Sequence, residues 1–320
     1  MAINIIHCEF QHKARWGVVE GTSIALLPGE FSTTAEFIKA YPLDKIKSNR
    51  AEETVPQGQV KLLSPVTSNQ QFLCQGANYR QHMIESGVNP DQKSFNMFFT
   101  KAGSCITSAN SAVEKPTRVK FLDYEVELGL VLRQDILKPV KVNSANLHDY
   151  VAALVIVNDY SARDIQIPQM QFYKGKSFRT FGPVGPYLCM LEPSDMPLLR
   201  TLNLKLTVNG QLRQSDNTAN LVFGPEVTLT EWSGVHDLHC GDLIATGTPA
   251  GCALAVPSPA KQRIAALIPE SLKWKVFMKV QAKRSQYLKE GDVVRASISS
   301  SCGRIDLGEQ HNVIVTPTAH

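Results

Sequence analysis

The chain has 320 residues, of which 43% are hydrophobic and 19% are charged, a composition typical of a protein that buries a sizeable core. This composition excludes a wholly disordered chain. The 33 basic and 29 acidic residues give a net charge of +4, which is too small to indicate nucleic acid as a partner. We see no secretory signal, and the longest apolar run is far shorter than a membrane span. The sequence therefore predicts a cytoplasmic protein with no membrane partner.

Strand patterns dominate the first sixty residues. A capping-box pattern at Thr33 and Glu36 starts one short helix. The polar stretch 48–59 is typical of a linker. We therefore predict a small N-terminal domain over residues 1–63 and one larger domain over residues 64–320. The strand patterns of the small domain cover residues 3–6, 16–19 and 23–27.

Short apolar runs also recur throughout the larger domain, and a hairpin turn is expected at Asn209-Gly210. The seven cysteines lie too far apart to suggest a disulfide framework or a zinc site. Strand patterns outnumber helix patterns, so we predict an α+β fold that is mainly β. The apolar runs cover residues 72–75, 95–100, 121–133, 151–159, 184–190, 202–208 and 243–246.

Residues 252–286 form a basic segment. They carry seven basic residues and one acidic residue, a net charge of +6, which leaves −2 for the rest of the chain. Between residues 272 and 280, apolar and polar residues alternate with one violation, at Phe277, and this pattern favours an amphipathic strand. A solvated edge strand is the simpler interpretation, and a binding surface is the alternative. We expect residues 272–280 to pair with or cover the core near the pocket mouth or the dimer interface.

An acidic strand pattern spans residues 121–133. Strand alternation places Asp123, Glu125 and Glu127 on one face, with Cα atoms roughly 6.7 Å apart between successive carboxylates. Carboxylates with no nearby His or Cys suit Mg²⁺, Mn²⁺ or Ca²⁺ rather than zinc. The alternative is a half-exposed strand whose acidic face lies in water.

A continuous apolar run over residues 151–157 predicts a strand that is buried on both faces and ends at Asn158 and Asp159. Arg163 and Gln166 follow and can hold an acidic substrate beside a metal. A structural salt bridge of Arg163 is the alternative.

His82 and Glu85 are three residues apart, so on a helix they share a face. The carboxylate can then orient the imidazole as a general base for water. Read alone, such a pair is also typical of an ordinary surface contact.

Lys176 lies in a Gly-Lys-Ser sequence like the end of a phosphate loop. That motif requires glycine where Met170 stands, which excludes nucleotide binding and leaves Lys176 as a cation for a developing oxyanion.

Residues 241–251 run from a strand into a glycine-rich turn whose amides and hydroxyls can meet a carboxylate.

Taken together and in this order, the motifs resemble the fumarylacetoacetate hydrolase family over residues 71–250 and again over 287–292. The resemblance implies a mixed β-roll, a homodimer and a small N-terminal domain. The matching motifs are Asn78-Tyr79 with His82 and Glu85, Asp123-Tyr-Glu-Val-Glu-Leu128, Asn158-Asp-Tyr-Ser-Ala-Arg-Asp164, Gly175-Lys-Ser-Phe178 with Gly182-Pro-Val-Gly-Pro186, Val208-Asn-Gly210, and Gly241-Asp242 with Thr246-Gly-Thr-Pro249.

The resemblance also implies roles for particular residues. It implies a Mg²⁺ or Mn²⁺ site, a lid dyad and an oxyanion lysine. The implied metal ligands are Glu125, Glu127 and Asp159, the dyad is His82 and Glu85, the lysine is Lys176, and the substrate contacts are Arg163, Gln166 and Thr248. Two features depart from the family pattern and bear on the substrate: Arg179, where many relatives have an acidic residue, and the basic segment 252–286, which looks like an insertion.

The motifs predict hydrolytic cleavage of a carbon–carbon bond in a β-diketo acid of the acylpyruvate or fumarylpyruvate type, releasing pyruvate or a related acid. Decarboxylation of oxaloacetate, or isomerisation or hydration of a 2-oxo diacid, is the alternative within the same metal and enolate chemistry. A binding protein on a retired enzyme scaffold is a third hypothesis.

Overall fold

The computed structural model describes residues 2–48, 51, 53–256 and 267–317. The helices are α1 Thr34–Ala40, α2 Leu43–Ser48, α3 Arg80–Glu85, α4 Leu147–Tyr150, α5 Arg163–Gln166, α6 Phe172–Lys176, α7 Pro225–Ser233 and α8 Glu270–Gln281. Short 3-10 helices cover Gln57–Gln59, Pro90–Gln92, Gly103–Cys105, Pro193–Arg200 and Thr218–Asn220.

Strands dominate, as predicted, and the fold is α+β and mainly β. The strands are β1 Ile3–Phe10, β2 Lys13–Glu20, β3 Ser23–Leu26, β4 Glu53–Pro56, β5 Lys61–Leu62, β6 Phe72–Gly76, β7 Met97–Lys101, β8 Ile106–Ser108, β9 Val113–Glu114, β10 Leu122–Asp123, β11 Val126–Leu132, β12 Val151–Asn158, β13 Ser161–Ala162, β14 Gly182–Val184, β15 Tyr187–Met190, β16 Leu202–Val208, β17 Gln211–Asn217, β18 Leu243–Ala245, β19 Val293–Ser300 and β20 Asp306–Val315.

Two large sheets pack face to face. The first has the order β4-β3-β2-β1-β15-β12-β11-β18-β6-β7, and the second has the order β17-β16-β19-β20-β9. Buried leucine and isoleucine side chains of β11 and β12 share one core with those of β16 and β19. Strand β12 is buried along its whole length, as its continuous apolar sequence predicts, and lies at the centre of the first sheet.

The N-terminal residues extend the first sheet. Strand β1 pairs antiparallel with β15, with Ile3 opposite Met190. Helix α1 begins with the predicted capping box, in which Thr33 and Glu36 bond each other's backbone. The proposed division of the chain near residue 63 stays a prediction.

The predicted linker over residues 48–59 is wrong in its second half. Residues 53–56 form β4, which pairs with β3 and places Val55 opposite Ile24. Val55 is buried, and this single apolar side chain in a polar stretch holds the edge strand against the sheet.

The predicted amphipathic strand over residues 272–280 is also wrong, because these residues belong to helix α8. Trp274, Phe277, Met278 and Gln281 are spaced as neighbours on one helix face, and this face is buried or half-buried. Phe277, which breaks the alternating pattern, therefore fits the helical pattern. Residues 257–266 of the basic segment lie outside the described residues.

In the part of the chain that the structure describes, no helix combines the length and the apolar character needed to cross a membrane.

A pair of substitutions in α8 distinguishes the helix from the predicted strand. A strand would place Val276 and Met278 on the same face, whereas in α8 Met278 packs against the main core and Val276 is exposed. We expect Met278→Ser to lower the free energy of unfolding by about 1–2 kcal/mol and Val276→Ser to change it by less than about 0.5 kcal/mol. Equal losses in chemical denaturation would contradict the helix.

Candidate metal centre and active site

Three buried carboxylates meet at the ends of two neighbouring strands. Glu125 lies in the break between β10 and β11, Glu127 lies in β11, and Asp159 follows β12. Because β11 and β12 run antiparallel, with Glu127 opposite Val157, these ends adjoin. One carboxylate oxygen from each residue lies within 4.8 Å of the others. The structure thus brings together the three metal ligands that the family resemblance implies.

Asp123 does not join this group, although the alternating pattern placed it on the same face. The strand is interrupted at residues 124–125, so the alternation does not continue across the break. The Asp123 carboxylate instead accepts hydrogen bonds from Arg163 and from the backbone amides of Ala253 and Leu254. All three acidic residues are buried, so the alternative of an acidic face in water is wrong.

The carboxylate trio fits a divalent cation. Glu127 accepts a hydrogen bond of 2.8 Å from the Gly247 amide, and within the described residues it has no ion-pair partner. Burial, together with the charges of Asp159 and Glu125, raises the pKa of Glu127 well above its ordinary value. A buried carboxylate that lacks a cation is unfavourable, and hard oxygen donors suit Mg²⁺ or Mn²⁺.

Lys176 donates three hydrogen bonds into the same cluster. Its Nζ lies 2.7 Å from Glu125 Oε2, 2.5 Å from Asp159 Oδ2 and 2.8 Å from Ser161 Oγ. Burial lowers the pKa of the ammonium, but the carboxylates of Asp159 and Glu125 outweigh it and raise that pKa. Lys176 is therefore charged, and all three of its N–H groups are engaged.

Arg163 forms the structural salt bridges that were the alternative to a substrate contact. Its Nε donates to Asp123 Oδ2 at 2.8 Å, its Nη1 to Gln166 Oε1 at 2.8 Å, and its Nη2 to Glu125. Burial would raise the pKa of Glu125, but the charges of Arg163 and Lys176 hold it below its ordinary value. Arg163 and Gln166 also line the cavity described below, so both residues can still contact an acid bound there.

Lys101 is a member of the cluster that the sequence motifs did not identify. Its Nζ donates to Asp159 Oδ1 at 2.5 Å and to the Phe181 carbonyl at 2.8 Å. The side chain is fully buried. The sequence signal that could have identified Lys101 is its position at the end of an apolar strand pattern, because a lysine buried there requires a carboxylate partner.

Counted with all four of its carboxylates ionised, the cluster carries an excess of one negative charge. A divalent cation would change the net charge of the cluster from −1 to +1, and this suits an anionic ligand. The buried carboxylates are Asp123, Glu125, Glu127 and Asp159, and the buried cations are Lys101, Arg163 and Lys176.

His82 and Glu85 lie on helix α3, as predicted, but they have different surroundings. His82 lines the cavity, and its Nδ1 is buried without a hydrogen-bond partner among the described residues. Burial lowers the pKa of the imidazole, although the charge of Glu125 opposes this effect, so the ring is neutral at pH 7. The Glu85 carboxylate accepts a hydrogen bond of 3.2 Å from the Gly251 amide. The direct contact expected between the two side chains is not formed in this part of the structure.

The glycine-rich turn after β18 meets a carboxylate, as predicted, and the carboxylate is that of Glu127. Gly247 has φ +92°, and a β-carbon there would lie 2.9 Å from the Asn78 side chain, so only glycine fits this close approach. Thr248 lines the cavity while its hydroxyl donates to the Val126 carbonyl at 3.0 Å.

A cavity of about 230 Å³ adjoins the cluster. Its charged and polar walls include His82, Glu125, Glu127, Arg163, Gln166, Lys176 and Thr248. Much of the remaining wall is apolar, from Val88, Met97, Phe99, Phe172, Leu254 and Val256. Arg179 is exposed and is not among the residues that line this cavity.

The sequence model for the Fumarylacetoacetate (FAA) hydrolase C-terminal domain matches residues 71–315. The chain belongs to this family. This finding confirms the family resemblance and places the chain in an enzyme family that includes hydrolases, isomerases and tautomerases.

Two curated relatives are named as oxaloacetate tautomerases. YisK from Bacillus subtilis is 37% identical over 196 residues, which cover 60% of this chain and 63% of the relative. Mitochondrial Fahd2a from Rattus norvegicus is 33% identical over 198 residues, which cover 62% and 61% of the two chains. The alignments thus span about three fifths of each relative's own length.

Solved structures with the same fold cover nearly the whole chain. Fumarylacetoacetate hydrolase from Exiguobacterium antarcticum is 26% identical with a TM-score of 0.75, and the match covers 98% of this chain and 100% of that one. Maleylpyruvate hydrolase from Sphingobium sp. SYK-6, solved with manganese(II) and pyruvate, has a TM-score of 0.70 at 22% identity over 98% and 100% of the two chains.

Removing one ligand charge tests the metal centre. Glu127→Gln keeps the shape of the side chain but removes its negative charge, so we expect Mn²⁺ affinity to fall by about tenfold or more in calorimetry. The exposed Glu20→Gln is the matched control and should bind Mn²⁺ like the unmodified protein. Unchanged affinity in Glu127→Gln would refute the assignment of this ligand.

Removing Lys101 tests whether its positive charge stabilises the buried cluster. Lys101→Met leaves Asp159 with one cation fewer in a buried site, so we expect the free energy of unfolding to fall by about 3 kcal/mol or more. Lys174→Met, at an exposed lysine bonded to Gln169, should cost less than about 0.5 kcal/mol. Similar denaturation midpoints for the two variants would show that Lys101 does not stabilise the cluster.

Proposed function

We propose that this protein is a metal-dependent hydrolase that cleaves a carbon–carbon bond in a β-diketo acid of the acylpyruvate type. The observation that carries the proposal is the position of the His82 imidazole, which is neutral and lines the same cavity as Glu125, Glu127 and Lys176. A base, a carboxylate trio suited to a cation and a buried ammonium are the groups that this reaction needs.

A divalent cation held by Glu125, Glu127 and Asp159 would act as a Lewis acid on the 2-oxo acid and stabilise the enolate that leaves. Gln166 would fix the substrate carboxylate through its side-chain amide, and Arg163 through the N–H groups that do not already bond Asp123, Glu125 or Gln166. The apolar wall that includes Met97, Phe99 and Phe172 would exclude water around the acyl group.

The imidazole of His82 takes a proton from water, and the water oxygen attacks the distal carbonyl carbon of the substrate. The bond between that carbon and C3 then breaks, and its electron pair remains on the three-carbon fragment as an enolate. Protonation of C3 gives pyruvate, and the acyl group leaves as a carboxylic acid.

Lys176 would stabilise the oxyanion that forms when water attacks. Because Glu125, Asp159 and Ser161 occupy all three of its N–H groups, one of these hydrogen bonds has to be exchanged for the oxyanion. Ser161 is the neutral partner, so releasing it costs the least electrostatic energy.

Proton transfer on oxaloacetate is the second candidate. The two curated relatives described above are named for this reaction, and they favour it over decarboxylation, isomerisation or hydration. Tautomerisation moves a proton between C3 and the 2-oxo oxygen, so it needs a base and an enolate site but no attacking water.

One absorbance experiment separates the two candidates. Purified protein is mixed with an enolised acylpyruvate or with oxaloacetate enol, with Mn²⁺ or after removal of divalent cations. Metal-dependent loss of acylpyruvate absorbance with one pyruvate per substrate supports the hydrolase. Decay of oxaloacetate enol without pyruvate supports the tautomerase, and no decay of either would refute both.

The His82→Ala variant tests the proposed base. We expect hydrolysis to fall by about 100-fold or more, while Mn²⁺ affinity stays unchanged because the imidazole is not one of the three carboxylate ligands. The exposed His12→Ala is the matched control and should keep full activity. Retained hydrolysis in His82→Ala would remove this residue from the mechanism.

The family resemblance also predicts a homodimer, and light scattering of the full chain would test it.

A further inference from the structure

A second cavity, of about 460 Å³, lies next to the catalytic one and is not used by the proposed mechanism. The two cavities share Leu254 and Val256 as lining residues. Arg213 of β17 and Arg284, which follows α8, line the second cavity, so the basic segment contributes one of its two guanidinium groups. We call it the arginine cavity.

Neither arginine has an acidic partner within the described residues. Arg213 Nη2 donates to Gln211 Oε1 at 3.2 Å, and its Nε is buried with no hydrogen-bond partner. Arg284 Nε donates to the Ala253 carbonyl at 2.6 Å. Two cations that face one cavity and form no ion pair repel each other, and a bound anion would reduce that repulsion.

The charge on the cavity wall indicates the class of anion. Glu85 also lines the arginine cavity, so the wall carries a net charge of +1. A single negative charge balances this wall, and a planar carboxylate matches the geometry of guanidinium groups. A phosphate dianion would exceed the positive charge and lie against Glu85.

The turn at Gly251 connects the wall of the arginine cavity to helix α3 and strand β17. The Gly251 amide donates to Glu85 Oε2, and the Tyr124 hydroxyl donates to the Gly251 carbonyl at 3.2 Å. Gly251 has φ +102°, and a β-carbon there would lie 2.0 Å from the carbonyl oxygen of Arg213. The main chain that begins this shared wall therefore packs directly against the strand that carries Arg213.

We propose that the arginine cavity binds a carboxylate group. The carboxylate comes either from the far end of an extended 2-oxo acid whose reacting end lies at the metal centre, or from a separate carboxylic acid. The first source rests on the proposed function, and the second does not. The catalytic cavity itself offers only apolar side chains on the wall that it shares with the arginine cavity.

Direct binding is measured first, by calorimetry with glutarate, a chain long enough to place one carboxylate in the arginine cavity while the other stays outside it. The protein is passed over a chelating resin, so that no divalent cation holds the ligand. We expect Arg213→Gln and Arg284→Gln each to raise the Kd for glutarate by about tenfold, and Arg213→Lys to restore part of the affinity. The exposed Arg295→Gln, on strand β19, is the matched control and should bind like the unmodified protein.

Catalysis then identifies the source of the carboxylate. If the carboxylate belongs to an extended substrate, the arginine variants lower kcat/KM about tenfold for an acylpyruvate that ends in a carboxylate. For an acylpyruvate that ends in a methyl group, kcat/KM stays within about twofold of the unmodified protein. For a separate acid, glutarate changes kcat/KM for the methyl-ended substrate in the unmodified protein but not in the variants.

The proposal is overturned when neither the glutarate Kd nor these kinetic values change in either arginine variant. Failure of the proposed function gives a different result, because the unmodified protein then converts neither acylpyruvate. The Kd for glutarate still shows in that case whether Arg213 and Arg284 bind a carboxylate. Circular dichroism melting of each variant shows that a lost effect is not a lost fold.

Discussion

The structure depends on one constraint: seven charged side chains are buried together and have to neutralise one another. Isolated charges in such a place would be very unfavourable, so every ammonium and guanidinium lies against a carboxylate. Lys176 joins Glu125 to Asp159, and Lys101 holds the other oxygen of Asp159. Within the described residues Glu127 is the carboxylate that this arrangement leaves without a cation, and this is why the centre suits a divalent ion.

The sheet makes this arrangement possible by bringing distant parts of the chain to one place. The central strands β11 and β12 bury their whole length, so their register is fixed by packing on both sides. The charged groups follow at the strand ends, where the chain leaves the core and the backbone can turn. The break in the strand at residues 124–125 contributes to this arrangement. Because of it, the Asp123 carboxylate contacts Arg163, whereas the Glu125 carboxylate lies close to that of Glu127.

The sequence predicts the parts of the site that depend on local spacing. Glu127 on β11, the buried strand that leads to Asp159, and the helix with His82 and Glu85 lie where their patterns indicate. The missed features depend on contacts between distant residues. Lys101 looks ordinary in the sequence because its partner Asp159 lies 58 positions away, and the partner of Glu85 is a backbone amide 166 positions away. The prediction of a strand where helix α8 lies was wrong because valines alternating with lysines have the two-residue period of a strand. The half-buried Trp274, Phe277 and Met278 instead follow the helical period.

The position of α8 has a consequence for how fast anionic molecules meet the protein. The end of this helix contacts the wall of the cavities, through the Gln281 bond to the Ala255 carbonyl and the Arg284 bond to the Ala253 carbonyl. Its lysines 273, 275 and 279 are exposed, and the field of such a group reaches about 8–10 Å at physiological salt. Anions that diffuse close to this side of the protein are therefore expected to be attracted to it, and their rate of encounter is expected to fall as salt is added. If the arginine cavity binds a carboxylate as proposed, the segment that contributes Arg284 would thus also help to determine how often a carboxylic acid arrives.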